Sequence, residues 1–263
     1  MGRPREEAVA IIGGTGVYQA ERLENAATEQ VRTEYGVVEL TVGRWKGHTV
    51  YFLPRHGRGH SIPPHRINYR ANLAALAEQG VTQILATSAV GSLRSDWPAG
   101  RLVVLDQFID FTSRREATFY DGEDDRVVHT DMTNPYCPRL REVILKTAAD
   151  LGLDITESGC YVCTDGPRFE TAAEVRAFGR LGGDVVGMTG VPEVILAREL
   201  GLCYAAVALV TNLGAGLSTT PLAHDEVSRQ MQENADRLQS LLWESVARLP
   251  LVRPSSCCQQ RGA

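Results

Sequence analysis

The sequence predicts an α/β domain: one central mixed β-sheet flanked by helices. Three observations lead there. From residue 68 onward, apolar strand-like runs alternate with helical stretches, the pattern of a sheet covered on both faces. Before residue 68 the chain is rich in strand signals, so the sheet is expected to be mixed and not purely parallel. No internal repeat, low-complexity tract or linker divides the 263 residues. A single domain over 1–263 is expected, with a core at about 8–249 and a polar tail at 253–263.

In order, residues 8–12 are a short apolar strand running into Gly13-Gly14-Thr15-Gly16. Residues 37–42 and 49–53 read as two strands around a turn at Gly47. A loop rich in Arg, His, Gly and Pro covers 54–66. Asn68 then caps a helix that Gly80 ends. Residues 81–87 form a buried strand leading into Ser88-Ala89-Val90-Gly91-Ser92, and 102–109 a further strand. The polar stretch 110–135 is long for a loop inside a compact domain, and such loops tend to be functional. A helix at 138–151, a strand at 159–163, a helix at 172–181 and a short strand at 184–186 follow. Pro192 opens the next helix. Residues 204–210 are a buried strand that stops at Thr211 and Asn212, and one last helix runs over about 222–249.

Bulk properties bound the function. Hydrophobic content is 43% and charged content 22%, ordinary for a globular protein. A formal charge of −5 leaves no basic footprint, so no nucleic-acid partner is expected. No apolar run is long enough to span a bilayer, so no membrane partner is expected either. Residues 1–7 lack a signal-peptide core, and a cytoplasmic protein is expected. Of the six cysteines, Cys160 and Cys163 have CxxC spacing but lie in a strand, and no second pair completes a zinc set, so no metal is expected. Cys257 and Cys258 are placed in the polar tail, reactive through exposure.

The chemistry is expected in polar, Gly-rich segments that each follow an apolar strand and so crowd one edge of the sheet. Gly13 to Gly16 suits a phosphate cradle of backbone N–H groups and the Thr15 hydroxyl, or a bare tight turn. Its spacing fits neither a dinucleotide fingerprint nor a P-loop. Arg55-His56-Gly57-Arg58-Gly59-His60 suits forked binding of a phosphate or carboxylate, with a solvated basic loop as the alternative. Phe169 and Glu170 couple an aromatic face to a carboxylate, for a planar ring and its N–H groups, or else simply start a helix. Asn212 carries a donor and an acceptor in one planar head, for the edge of a heterocycle or for backbone groups in a loop. The inventory suits an anion bound beside a planar polar ring, with transfer between them.

Together these segments resemble the trimeric purine nucleoside phosphorylase and methylthioadenosine phosphorylase family over about 8–249, most closely its methylthioadenosine phosphorylase branch. The stretches that carry the resemblance are Ile11-Ile12-Gly13-Gly14-Thr15-Gly16, Arg55-His56-Gly57-Arg58, Asn68-Tyr69-Arg70-Ala71-Asn72, Asp106-Gln107-Phe108-Ile109-Asp110, Phe119-Tyr120-Asp121-Gly122 and Gly187-Met188-Thr189. The resemblance implies the nucleoside phosphorylase fold, with a partly barrel-like sheet, in a homotrimer. It implies reversible phosphorolysis of an N-glycosidic bond in purine salvage. Inorganic phosphate is the co-substrate, and no cofactor or metal is used.

By the same resemblance, phosphate is expected among Thr15, Arg55, His56, Ser88, Ala89 and Thr189. Met188 faces the ribose and Phe169 the base, and His129 is the residue a neighbouring subunit lends to the 5′ side of the sugar. Asn212, Glu170 and His56 are expected to carry catalysis. Branch members specific for 6-aminopurines have Asp where Asn212 stands, a second Asp where Gly214 stands, and Ser where Glu170 stands. Glu170 with Asn212 is instead the pair of inosine and guanosine phosphorylases. A carboxylate accepts from N1–H of a 6-oxopurine, whereas adenine presents a lone pair there, and such a mismatch discriminates strongly. His224 resembles the histidine that meets a 5′-hydroxyl, where methylthio-specific relatives usually carry an apolar residue. The expected function is therefore phosphorolysis of inosine or guanosine, with methylthioinosine or methylthioadenosine phosphorolysis as the alternative and a non-catalytic purine-binding module as a further one.

Overall fold

The computed structural model describes residues 7–14, 22–122, 126–218, 224–254 and 257–258, with the side chain of His224 left outside. Thr15 also lies outside the described residues. Eleven strands of the described residues form one mixed sheet. Its first half is built early: β1 (Ala8–Gly13), β2 (Glu24–Thr33), β3 (Gly36–Trp45) and β4 (His48–Pro54). β2, β3 and β4 are antiparallel neighbours, and β4 lies parallel to β1. After α1 (Tyr69–Glu78), β5 (Val81–Ser92) adds parallel to β1 on its other side.

The second half curls. β6 (Leu102–Val104) and β7 (Gln107–Asp110) are followed by α2 (Pro138–Asp150), β8 (Ile155–Thr156) and β9 (Cys160–Cys163). Then come α3 (Ala172–Arg180), β10 (Val185–Gly187), α4 (Gly190–Glu199) and β11 (Cys203–Leu213). β11 runs parallel to β5 over its whole length, and β6 is antiparallel to β11. β7 pairs with β9, β9 with β10, and β10 returns antiparallel to the end of β5. β6 and β7 are one run of chain that changes partner at Leu105, whose N–H donates to Ala206 O, and Asp106, whose N–H donates to Gly159 O. The circuit β5–β11–β6/β7–β9–β10–β5 therefore closes, which makes the sheet partly barrel-like.

The centre of the sheet is buried on both faces, so its central strands β1, β5 and β11 are largely continuous apolar runs. Period-2 alternation sorts them. Ala8, Ala10 and Ile12 face a core shared with Leu73, Leu76, Val191 and Val194 of α1 and α4. Val9 and Ile11 face another, filled by Leu140 and Ile144 of α2 and by Leu238, Leu242 and Val246 of α6 (Ala235–Ala247). Each fully buried aliphatic side chain contributes roughly 1.5–3 kcal/mol, and a strand such as β11 joins both cores. Local signals set the helix starts. Asn68 Oδ1 accepts from Ala71 N at 3.0 Å, capping α1. Thr171 and Glu174 form a reciprocal capping box at the start of α3.

Several expectations are corrected. β2 has no counterpart among the expected strands. The expected strand at 102–109 is two strands with different partners. β5 runs to Ser92 and β11 through Asn212 to Leu213, so Asn212 lies in the strand and not beyond it, next to a bulge between Val210 and Asn212. The expected last helix is two, α5 (His224–Glu233) and α6, broken at Asn234. There the Asn side chain bonds the backbone, Nδ2 donating to Gln230 O at 2.9 Å, in competition with a continuous helix. The tail is not free: Cys257 and Cys258 are half-buried and pack against the second core.

Candidate functional site

The site follows from the branching of β5. β1 accompanies β5 as far as Ala86, and β10 joins it only at Gly91. Between them, no strand of the described residues covers that edge. The gap opens into a cavity of about 400 Å³ lined by Gly14, Arg55, His56, Ser88, Ala89, Phe169, Glu170, Met188, Thr189, Asn212 and Val227, among others. The strand ends of β1, β4, β5, β10 and β11 thus converge, as expected for ligands in open α/β sheets.

One end of the cavity carries a buried cation and hydroxyl donors. Arg55 is 2% exposed and Glu193 fully buried. Arg55 Nε donates to Glu193 Oε1, Nη2 to Oε2 at 2.8 Å, and Nη1 to Thr87 O at 2.9 Å. Burial works against the guanidinium charge, but Glu193 overrides it and holds the pKa above its ordinary value. Tyr204 Oη also donates to Glu193, at 2.8 Å. Three of the five guanidinium N–H groups are used this way, leaving donors on Nη1 and Nη2. Ser88 is 3% exposed, and its Oγ is buried without a hydrogen-bond partner among the described residues. A buried, unsatisfied hydroxyl in a cavity wall is a site for a ligand atom. Thr189 lines the cavity at the start of α4 without spending its side chain on the helix, while the N–H groups of Thr189 and Gly190 are already taken by Tyr161 Oη at 3.1 and 3.3 Å.

His56 is not a cation here. Its Nδ1 lies 2.8 Å from Ile62 O, which can only accept, so Nδ1 carries the proton. Burial and then the Arg55 charge lower its pKa to about 4. The neutral ring stacks near His60, centroids 4.3 Å apart, and keeps Nε2 as an acceptor. Arg58 turns away to Glu39 and Thr28 and lines no part of the cavity.

The other end suits a planar ring. Glu170 is held by Thr164, whose Oγ1 donates to Oε1 at 2.7 Å, and burial raises its pKa. Arg115, from the long loop, donates to Thr164 O and Asp165 O and fixes the turn that presents Phe169 and Glu170. Gly166, at φ +61°, leaves room for Met188: a Cβ there would meet Met188 Sδ at 2.4 Å. Asn212 is 8% exposed. Its Oδ1 lies 2.9 Å from Thr211 Oγ1 and its Nδ2 donates to Leu213 O at 3.0 Å, leaving one N–H toward the cavity. At Gly214, a Cβ would lie 2.8 Å from Ser92 O and 3.0 Å from Val175 Cγ1.

The phosphorylase superfamily pattern matches residues 8–247. The chain belongs to this superfamily. The phosphorylase is 53% identical over 249 residues to a protein of Dictyoglomus turgidum named probable 6-oxopurine nucleoside phosphorylase, covering 95% of this chain and 94% of the relative. It is 50% identical over 252 residues to a probable S-methyl-5′-thioinosine phosphorylase of Methanopyrus kandleri, covering 95% and 96%. Methylthioadenosine phosphorylase from Schistosoma mansoni, solved with adenine, superposes with a TM-score of 0.87 at 37% identity, covering 92% of this chain and 91% of that one.

The phosphorylase thus gathers Arg55, His56, Ser88, Ala89, Phe169, Glu170, Met188, Thr189 and Asn212 around one cavity. His129 is exposed and does not line it. The His224 side chain is outside the description. Val227, one turn further along α5, is in the wall. Sequence reasoning missed Glu193, Tyr204, Thr87 and Arg115. Glu193 was the findable one: an acidic residue in the apolar run Val191-Pro192-Glu193-Val194-Ile195-Leu196 needs a buried partner.

Proposed function

We propose that this phosphorylase splits 6-oxopurine nucleosides with inorganic phosphate, reversibly, to free base and ribose 1-phosphate. The observation that carries the choice of base is the end of β11. Asn212 stands in the cavity wall, and two residues on Gly214 is packed against Ser92 O and Val175 with no space for a carboxylate side chain. With Glu170 opposite, the base site offers a carboxylate acceptor for N1–H and an amide donor for the N7 and O6 edge. The D. turgidum relative is named for the same substrate class.

The chemistry follows from the two ends. A phosphate oxygen bonds to C1′ as the C1′–N9 bond breaks, and that bond's electron pair leaves with the purine, which then takes up a proton. Arg55 and the Ser88 and Thr189 hydroxyls hold the phosphate charge, which in turn stabilises the cationic sugar. Neutral His56 offers Nε2 to the P–OH of monohydrogen phosphate. Asn212 answers the negative charge building on the base. Thr15 belongs to the same phosphate cradle in this reading.

The reading extends to a homotrimer in the cytoplasm in which His129 serves a neighbouring copy's sugar. It also has His224 meeting the 5′-hydroxyl, and no cofactor or metal in the reaction. Dialysed enzyme is expected to turn over with phosphate alone. The second reading, methylthioinosine phosphorolysis, draws on the apolar Val227 in the wall and on the M. kandleri relative. Parallel phosphorolysis of inosine, guanosine, adenosine and methylthioinosine decides. Inosine and guanosine are expected to lead. A lead for adenosine overturns the base assignment, and a lead for methylthioinosine selects the second reading.

A further inference from the structure

The C-terminal segment after α6 returns to the sheet at the end of β11 remote from the cavity. There four thiols meet. Cys137 precedes α2 and is held by its own N–H, which donates to Tyr204 O at 2.7 Å. Cys203 is the first residue of β11, and both residues are fully buried. Cys257 and Cys258 come from the tail, where Cys257 N–H donates to Pro254 O at 3.0 Å. Cys257 Sγ lies 3.4 Å from Cys137 Sγ, 3.3 Å from Cys203 Sγ and 3.9 Å from Cys258 Sγ. All four sulfurs fall within 4.8 Å of one another.

We propose that Cys137, Cys203, Cys257 and Cys258 form a tetrathiolate Zn²⁺ site that fastens the C-terminal segment to the base of the sheet. A Zn–S bond of about 2.3 Å gives a tetrahedron with edges of about 3.8 Å, close to the separations seen. A disulfide would draw one pair together to about 2.05 Å and need not gather the other two sulfurs. Four sulfurs around one point are what a single four-coordinate soft-ligand ion requires. Four thiolates leave Zn²⁺ with a net charge of −2, and two guanidiniums stand by to offset it. Arg253 Nη1 lies 3.9 Å from Cys203 Sγ, and Arg139 faces Cys257 and Cys203. Binding involves no redox change: each thiol gives up its proton to solvent as its sulfur bonds the ion, so affinity falls in acid. The site is structural. Along β11, Cys203 and Asn212 are separated by about 30 Å of strand.

The test is zinc content of the full-length chain purified under reducing conditions, beside the double variant Cys257→Ser/Cys258→Ser. Both altered residues lie in the tail, so the core and its phosphorolysis remain as a check on folding. The expected result is one zinc per wild-type chain and none in the double variant, with equal turnover at room temperature. Chelation should lower the wild-type Tm to that of the variant. Co²⁺ should give the thiolate charge-transfer and visible bands of a tetrahedral tetrathiolate. Wild-type protein with reactive thiols that takes up neither metal overturns the proposal. So does a mass two hydrogens low for each oxidised pair, which makes the cluster a disulfide staple, and so does zinc retained by the double variant.

Discussion

Glu193 takes both Nε and Nη2 of Arg55 across 138 residues of sequence, and neither side chain is more than 1% exposed. The pair turns the Arg55 fork into a fixed part of the cavity wall and presets the direction of its remaining N–H groups. Removing the carboxylate leaves a buried cation without its partner. Glu193→Ala is therefore expected to lower stability by about 3–5 kcal/mol, read from urea unfolding. Glu193→Gln keeps the shape but frees the fork. It should raise the KM for phosphate by about tenfold, worth ~1.4 kcal/mol, while the nucleoside KM changes little. Equal changes in both KM values would place Arg55 away from the phosphate.

Gly214 is constrained by space: a Cβ would stand 2.8 Å from Ser92 O, a backbone atom that itself accepts from Gly214 N at 2.8 Å. Gly214→Ala should destabilise by about 1–3 kcal/mol through overpacking, and Val175→Ala should recover part of that loss. Gly214→Asp is expected to leave adenosine turnover at background, because the carboxylate has no room to reach a base. A stable Gly214→Asp enzyme that turns over adenosine would contradict the packing argument.

His56 supplies a pH dependence of definite sign. Its native pKa is lowered to about 4, whereas an unfolded histidine titrates near ~6.5. Between these values the unfolded chain binds a proton that the native chain does not, so this contribution to stability is lost as pH falls through the window. Glu170, raised by burial, contributes with the opposite sign. The difference between wild type and His56→Asn isolates the histidine, because Asn keeps an N–H donor for Ile62 O. Urea midpoints from neutral pH to about pH 5 should converge for the two proteins as pH falls. Parallel curves would mean that His56 titrates in the native protein as it does in the unfolded chain.

The sequence made some of this legible and hid the rest for physical reasons. β5 and β11 were visible because strands buried on both faces are continuous apolar runs, whereas the Thr171–Glu174 capping box that starts α3 stood in the sequence unread. β2 was hidden because it is exposed along nearly its whole length and carries no alternation. The partner change at Leu105 and Asp106 was hidden because periodicity records which face a residue occupies and not which strand lies beside it. Ser88, Ala89, Met188, Thr189 and Asn212, picked out because they sit in polar or Gly-rich strand ends, do line one cavity. Glu193 and Arg115 act through partners far away in the chain, and Cys257 and Cys258 look like a polar tail until Cys137 and Cys203 are beside them.

Asn212 combines a donor with a nearby carbonyl, and that combination predicts how an acid would behave in its place. Nδ2 donates to Leu213 O at 3.0 Å while Thr211 Oγ1 lies 2.9 Å from Oδ1. In Asn212→Asp, one carboxylate oxygen faces the Leu213 carbonyl at that distance. The ionised form is repelled there, and the residue is 8% exposed, so the new carboxyl should titrate well above ~4. Only its protonated form donates, and it then spends its single proton on Leu213 O or on the purine. Turnover of inosine at neutral pH should fall by about 100-fold or more, as for loss of a donor to a developing anion. Unlike wild type, the variant should recover activity as the pH is lowered toward the new pKa. A pH–rate profile of kcat/KM for inosine checks both statements, and a variant profile that merely parallels wild type would remove Asn212 from the base site.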